Sequence, residues 1–287
     1  MEDRHPTVTA AVVAATLLLH EDGLVDRPRV EAAVREALPE LGLLLDRVPW
    51  PLLSRLARGV ERVASPGFSL HYLQRKRAVR AGVEAALAAG HDQVVLLGAG
   101  FDMMSHALVD RAQVFEVDHP RSQAVKRRAV DDARVTYVPV DLVAGGLAEA
   151  LLASGLDPRR DTVVAAEGLF MYFDRALVLR LLDELATVLR GRRRLVATFL
   201  TPDEHGKVRL HSQRRVVDVV MELLGETFAF GAPIPELVDV LVKQGWPVTD
   251  IVTTELPGKA AGEVIVTAAG GRVFANVSGE AAAVEMR

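Results

Sequence analysis

Four short stretches of this 287-residue chain place a glycine turn or a carboxylate where a run of aliphatic residues ends. In the first, Val94-Val95-Leu96-Leu97 runs into Gly98-Ala99-Gly100-Phe101-Asp102. Glycine reaches backbone conformations closed to other residues and lets a ligand approach the main chain, so Gly98 and Gly100 suit a bound nucleoside. The second stretch is Glu116-Val117-Asp118. Its two acids alternate onto one face of a strand, and a single carboxylate there can accept both hydroxyls of a ribose; either acid fills that role. The third is Val140-Asp141-Leu142, where Asp141 can accept from an adenine amino group and Leu142 offers an apolar edge and a backbone amide. The fourth sets Glu167 before Gly168-Leu169-Phe170-Met171-Tyr172-Phe173, an acid followed by residues able to wall an apolar pocket. Each stretch alone also fits an ordinary strand end or helix cap.

Such residues act together only if the chain brings the ends of several strands side by side. From residue 93 onward, β-branched runs at 94–97, 114–117, 135–140, 162–166 and 195–199 alternate with helical patterns at 103–109, 122–131, 147–154 and 176–189. That alternation predicts an α/β fold: a Rossmann-like, mostly parallel seven-stranded sheet with helices on both faces. Ligands of such sheets bind beyond the carboxyl ends of the strands, where all four stretches fall. Later, helices are expected at 205–228 and 235–244. An antiparallel C-terminal strand pair at 251–254 and 264–268 is joined by a turn at 257–262, and 272–277 offers a third short strand. The first ninety residues carry helical periodicity at 8–20, 29–47, 52–64 and 70–89, punctuated by prolines at 28, 49, 51 and 66. The expected organisation is an N-terminal helical extension or lid over 1–90 and one ligand-binding unit over 91–287.

Two ligand classes use a glycine turn after a first strand: dinucleotides and S-adenosyl-L-methionine. A dinucleotide fingerprint needs a third glycine at position 103, and Met103 stands there. Composition narrows the field further. A net charge of −4 gives no global basic field for nucleic acid, and the triplets 75–77, 126–128 and 192–194 are short. With no cysteine, disulfides, thiolate metal sites and cysteine nucleophiles are excluded. No histidine pair has H-x-x-x-H spacing, so no metal site is expected. No G-x-S-x-G elbow supports hydrolase chemistry. The apolar stretch 9–19 is too short to span a bilayer and lacks a positive flank, so the chain is expected to be cytoplasmic, without membrane or nucleic-acid partners.

Together, VVLLGAGFD (94–102), FEVDHP (115–120) with Lys126, VDL (140–142) and AEGLFMYF (166–173) resemble the leucine carboxyl methyltransferase family of class I S-adenosylmethionine-dependent methyltransferases. The likeness covers about residues 70 to 200 and extends to the branch of tetracenomycin-type polyketide O-methyltransferases. It implies that Arg75 pairs with the methionine carboxylate of the cofactor, with Arg77 as the alternative. Gly98 would lie against the cofactor, Asp118 would hold the ribose, Asp141 and Leu142 the adenine, and Glu167 would stand near the amino-acid end. Many relatives carry Asp-Thr-Arg after the glycine turn; here Asp102-Met103-Met104 loses the arginine, which implies local repacking, altered cofactor geometry or a repurposed site.

The implied reaction is methyl transfer to an oxygen. A carboxylate acceptor is ionised at neutral pH and needs no base, whereas a phenol gains from one. His211 is the first candidate for that base, with His205 and Tyr172 behind it; His106 and His119 read as structural. The aliphatic N-terminal helices, with Phe170, Tyr172, Phe228, Phe230 and Trp246, suit a small apolar or aromatic acceptor such as a polyketide. The alternatives are a protein C-terminal carboxylate, or a methyltransferase fold reused as a cyclase, an isomerase or a cofactor-binding scaffold. A homodimer is left open.

Overall fold

A computed structural model describes residues 6–20, 25–64, 66–210, 227–256 and 259–271. Seven strands form one sheet: β1 (Gln93–Leu97), β2 (Gln113–Asp118), β3 (Val135–Pro139), β4 (Thr162–Ala166), β5 (Arg193–Leu200), β6 (Val248–Leu256) and β7 (Lys259–Gly270). Their spatial order is β3-β2-β1-β4-β5-β7-β6. The first five are parallel, and β7 pairs antiparallel with both β5 and β6. This is the Rossmann-like architecture that the alternation predicts. β1 and β4 are buried along their whole length, which is why they read as unbroken aliphatic runs rather than alternating ones.

The five N-terminal helices are α1 (Pro6–Leu17), α2 (Arg27–Ala37), α3 (Pro39–Arg47), α4 (Trp50–Ala64) and α5 (Phe68–Ala88). The stretch 29–47 is therefore two helices and not one. Leu38 lies at φ −132 and ψ 76, because the ring of Pro39 excludes the helical region from the residue before it. Helices α6 (Met104–Leu108), α7 (Pro120–Val130), α8 (Leu147–Ala153), α9 (Arg175–Val188) and α10 (Ile234–Lys243) follow among the described residues. Val79, Val83 and Ala86 of α5 pack with Met104 and Leu108 of α6 on one face of the sheet. Leu147 and Leu151 of α8, Leu181 and Leu185 of α9, and Leu237 and Leu241 of α10 cover the other. Helix α1 packs on α2, α5 and α7, close to the end of β1.

Two expectations in the tail change. Residues 205–210 are a turn and an isolated bridge, Pro202 to Val208, instead of the start of a helix. The Asp203 carboxylate accepts the N–H groups of His205 and Lys207, both at 2.9 Å, and Gly206 takes φ +76. This local capture of backbone donors competes with helix formation. In the C-terminal pair, Lys259 to Gly262 belong to β7, with Lys259 opposite Leu256, so the connection is tighter than the turn-rich composition of 257–262 suggests. The remainder of the expected 205–228 helix, over 211–226, and the expected strand at 272–277 lie outside the described residues.

A fully buried ion pair ties β2 to α7. Lys126 Nζ stands 2.8 Å from Glu116 Oε1, with both side chains excluded from solvent. Lys126 also donates to the Asp102 carbonyl, which pins the loop after the glycine turn. Removing one member of a buried pair strands the other charge. Lys126→Met is expected to cost about 3–5 kcal/mol in urea unfolding. Glu116→Leu combined with Lys126→Met should recover most of that loss; a double variant no more stable than the single one would assign the loss to the Asp102 carbonyl contact instead.

Candidate functional site

A cavity of about 750 Å³ opens at the carboxyl ends of β1, β2, β3 and β4. Its wall includes Arg75, Gly98, Gly100, Asp118, Asp141, Leu142, Glu167 and Tyr172. These first-choice cofactor residues and Tyr172 are therefore brought to one space. His211 lies outside the described residues. His205 is exposed on its turn, away from the cavity wall. Arg77 is exposed on α5 and outside the wall, which leaves Arg75 as the arginine that faces the cavity.

The glycine turn owes its shape to backbone freedom. Gly98 and Gly100 lie at φ +64 and +49, a region costly for residues with a Cβ. The Gly98 N–H donates to the Val117 carbonyl at 2.9 Å, and the Gly100 N–H donates to the Asp118 carboxylate. The other oxygen of Asp118 accepts the His119 N–H at 2.6 Å. Burial pushes the Asp118 carboxyl up to about 6, against the two amide donors that pull it down. The choice between the two acids of β2 is thereby made: Glu116 is committed to Lys126, and Asp118 faces the cavity. At the next strand end, Asp141 caps its own loop by accepting the Val143 N–H at 2.9 Å. Leu142 is buried, and its carbonyl takes a hydrogen bond from Arg180.

Beside the glycine turn lies a chain of largely buried charges. Arg75 Nε donates to Glu167 at 3.1 Å, and Arg75 Nη1 reaches Glu263 at 3.4 Å. Lys76 Nζ pairs with Asp102 at 2.6 Å and with Glu167 at 3.4 Å. The Arg75 guanidinium also lies 4.1 Å from the centre of the Tyr72 ring, within cation–π range. Burial pulls the Arg75 guanidinium down, but Glu263 and Glu167 outweigh it and hold it above its ordinary value. Burial likewise opposes ionisation of Lys76 and Asp102, and their mutual attraction wins, raising Lys76 and lowering Asp102. Glu263, supplied by β7, is 1% exposed. Burial would raise its carboxyl, yet Arg75 and then His71 hold it below the usual range; His71 Nε2 lies 2.7 Å from it.

Sequence reasoning missed Lys76, Asp102 and Glu263 as partners in this cluster. The first two follow Arg75 and Gly100 by one and two positions, so proximity to a recognised motif was the available signal. Glu263 carried none: it stands in a strand 188 residues from Arg75. The Met103-Met104 departure is filled by packing. Met103 is buried among residues of α1 and α2, and Met104 lies under α5. Of the aromatic residues expected around an acceptor, Phe170, Phe230 and Trp246 are core instead. Phe170 stacks on Phe199 at 5.3 Å, Phe230 packs edge-on to Phe199, and Trp246 Nε1 donates to the Leu182 carbonyl. Phe228 lies behind Tyr172, at 5.6 Å. The cavity's aromatic wall, among the described residues, is Tyr72, Phe101, Tyr172 and Phe173.

A seven-stranded sheet of this order, with a glycine turn, a buried acid after β2 and a cavity over the strand ends, defines the class I methyltransferase type of α/β protein. The sequence profile of the family described as leucine carboxyl methyltransferase matches residues 7–186. A Mycobacterium marinum protein assigned as an S-adenosyl-L-methionine-dependent methyltransferase is 30% identical over 87% of this chain and 82% of its own length. One from Frankia alni is 38% identical over 39% of this chain and 42% of its own length, so that match spans less than half of the relative. The crystal structure of an assigned methyltransferase from Thermobifida fusca superposes with a TM-score of 0.57 at 17% identity, covering 76% of this chain and 88% of that one; this likeness is one of fold. The chain belongs to the leucine carboxyl methyltransferase family and is an S-adenosylmethionine-dependent methyltransferase. Among the described residues, no helix is long and apolar enough to cross a membrane.

Gly168, at φ +63, lets Arg75 pass: a Cβ there would lie 3.1 Å from Arg75 Nη2. Because Arg75 is fixed by two carboxylates, it has little room to yield. Gly168→Ala is expected to lower stability by about 1–2 kcal/mol from backbone strain alone and to weaken cofactor binding further. Calorimetric titration of S-adenosylhomocysteine beside urea unfolding checks both, and unchanged affinity would show that Arg75 relaxes freely.

Proposed function

We propose that this chain is an O-methyltransferase acting on a phenolic hydroxyl or a carboxyl of a small apolar or aromatic molecule, of the kind made by polyketide assembly. The observation that carries the reading is the make-up of the cavity. Its lining joins polar groups, Asp118 among them, with an apolar and aromatic set that includes Tyr72, Phe101, Tyr172 and Phe173 and Val13, Ala14 and Leu17 of α1. The residues fit the cofactor: a glycine turn on the cavity wall, a buried carboxylate with spare lone pairs, and an arginine lining the same space. When bound, S-adenosylmethionine supplies an electrophilic methyl group on a sulfonium sulfur.

In this reading Asp118 accepts the ribose hydroxyls, while Asp141 and Leu142 hold the adenine. Arg75 grips the methionine carboxylate in an oriented fork, with Glu167 near the ammonium group and the backbone of Gly98 and Gly100 against the cofactor. The apolar wall excludes water and fixes the acceptor oxygen in line with the methyl carbon, which is the main catalytic task in a displacement of this type. Tyr172, on the cavity wall, and His211 are the proposed groups for taking a proton from a phenol.

The acceptor class is tested by following S-adenosylhomocysteine release with phenolic and carboxylic polyketide-like acceptors, beside a peptide ending in a free carboxylate. Turnover of the small acceptors is expected. Turnover of the peptide alone, or of none, would overturn the reading. His211→Ala is expected to slow a phenol more than a carboxylic acid, and equal slowing of both would remove it as the base.

Asp118 also makes binding pH-dependent. Its carboxyl takes up a proton as pH falls through about 6, and the neutral acid is the poorer acceptor. Affinity for S-adenosylhomocysteine should therefore be full at pH 7.5 and fall toward pH 5, by up to about tenfold per unit. Asp118→Asn is expected to lose about 10–100-fold at pH 7.5 and to flatten the profile. An unchanged profile in the variant would assign the dependence to another group.

A further inference from the structure

The charges linked through Arg75 do not balance. Arg75 and Lys76 are the two cations, and Asp102, Glu167 and Glu263 the three carboxylates, joined in one unbroken series of ion pairs. His71 adds no positive charge in its neutral form. It needs only one proton, on Nε2, to bond Glu263, and its buried Nδ1 has no hydrogen-bond partner among the described residues. With His71 neutral, the described members of the cluster carry one negative charge in excess, and Glu263 is the charged one that does not line the cavity. Its pocket is made by His71, Arg75 and Thr198. The Thr198 hydroxyl in turn accepts the Gly168 N–H at 2.8 Å. A charge in such a water-excluded place acts over many ångströms, since neither solvent nor salt screens it well.

We propose that Glu263 is a specificity-determining residue: its buried charge makes the site prefer the sulfonium cofactor over the thioether product. S-adenosylmethionine carries one more positive charge than S-adenosylhomocysteine and is otherwise the same molecule apart from the methyl group. Contacts to adenine, ribose, carboxylate and ammonium are common to both. Only a difference in electrostatic potential or a methyl contact can separate them, and the excess negative charge supplies the first. Glu263 does this without touching either ligand, so it favours product release without occupying the acceptor's space. The inference rests on the cofactor assignment and on the cavity holding its amino-acid end near Arg75.

The test compares dissociation constants for S-adenosylmethionine and S-adenosylhomocysteine by calorimetry. Glu263→Gln keeps the shape and hydrogen-bonding capacity and neutralises the cluster. It is expected to reduce the preference for S-adenosylmethionine by about fivefold. Lys76→Met leaves two negative charges in excess and should shift the ratio the other way, and it serves alone if Glu263→Gln does not fold. A merely structural role weakens both ligands together and leaves the ratio where it was; a ratio within twofold of wild type in the folded variants overturns the proposal. Wild-type protein that binds neither ligand would overturn the cofactor assignment instead.

Discussion

A guanidinium buried at the edge of a ligand cavity has to be neutralised wherever it sits, and Arg75 is neutralised by carboxylates from two different strands. Glu167 comes from the end of β4 and Glu263 from β7. Leaving either charge alone in a water-excluded place would cost several kcal/mol, so the closing antiparallel strand has one acceptable register, the one that brings Glu263 under Arg75. Its aliphatic residues agree with that register, since Val264, Val266 and Ala268 fall on one face of the sheet with Ile265 on the other. Helix α5 must then lie where both Arg75 and Lys76 reach inward, and its packing on β5 is correspondingly close: a Cβ on Gly82 would meet Val196 at 2.8 Å.

The same economy appears on the other side of the cavity. Asp118 is solvated by backbone amides rather than by a cation, and Glu116, two residues earlier on the same face, takes the lysine. Two acids that look equivalent in the chain are separated by their surroundings into one structural and one cavity-facing group. Helix α1 lines the cavity beside the glycine turn, and its Ala10 would lie 3.3 Å from a Cβ at Gly100. Small residues on α1 are therefore a condition for the helix to seat over the turn.

Much of this was legible in the sequence. Strands β1 and β4 announced themselves as aliphatic runs because they are buried on both faces, and a glycine or a carboxylate follows each directly. Helix breaks were less legible: the division at Leu38 depended on one proline inside an otherwise periodic stretch. The turn at Asp203 depended on a side chain capturing backbone donors, which periodicity does not register. The aromatic residues misled for a related reason. Phe170 and Tyr172 are two positions apart in one short segment, and the 3-10 turn that holds them sends the first into the core and the second to the cavity.

By itself the sequence determined the alternation of strands and helices and the four strand ends that meet at one cavity, because these follow from local pattern and spacing. Tertiary structure alone decided which of two acids faces the cavity, which of two arginines faces inward, and which aromatics line the cavity. It alone joined Glu263 to Arg75 across 188 positions. The physical reason is the range of the interactions: backbone periodicity and turn chemistry act between neighbours in the chain, whereas burial and the pairing of charges act between neighbours in space.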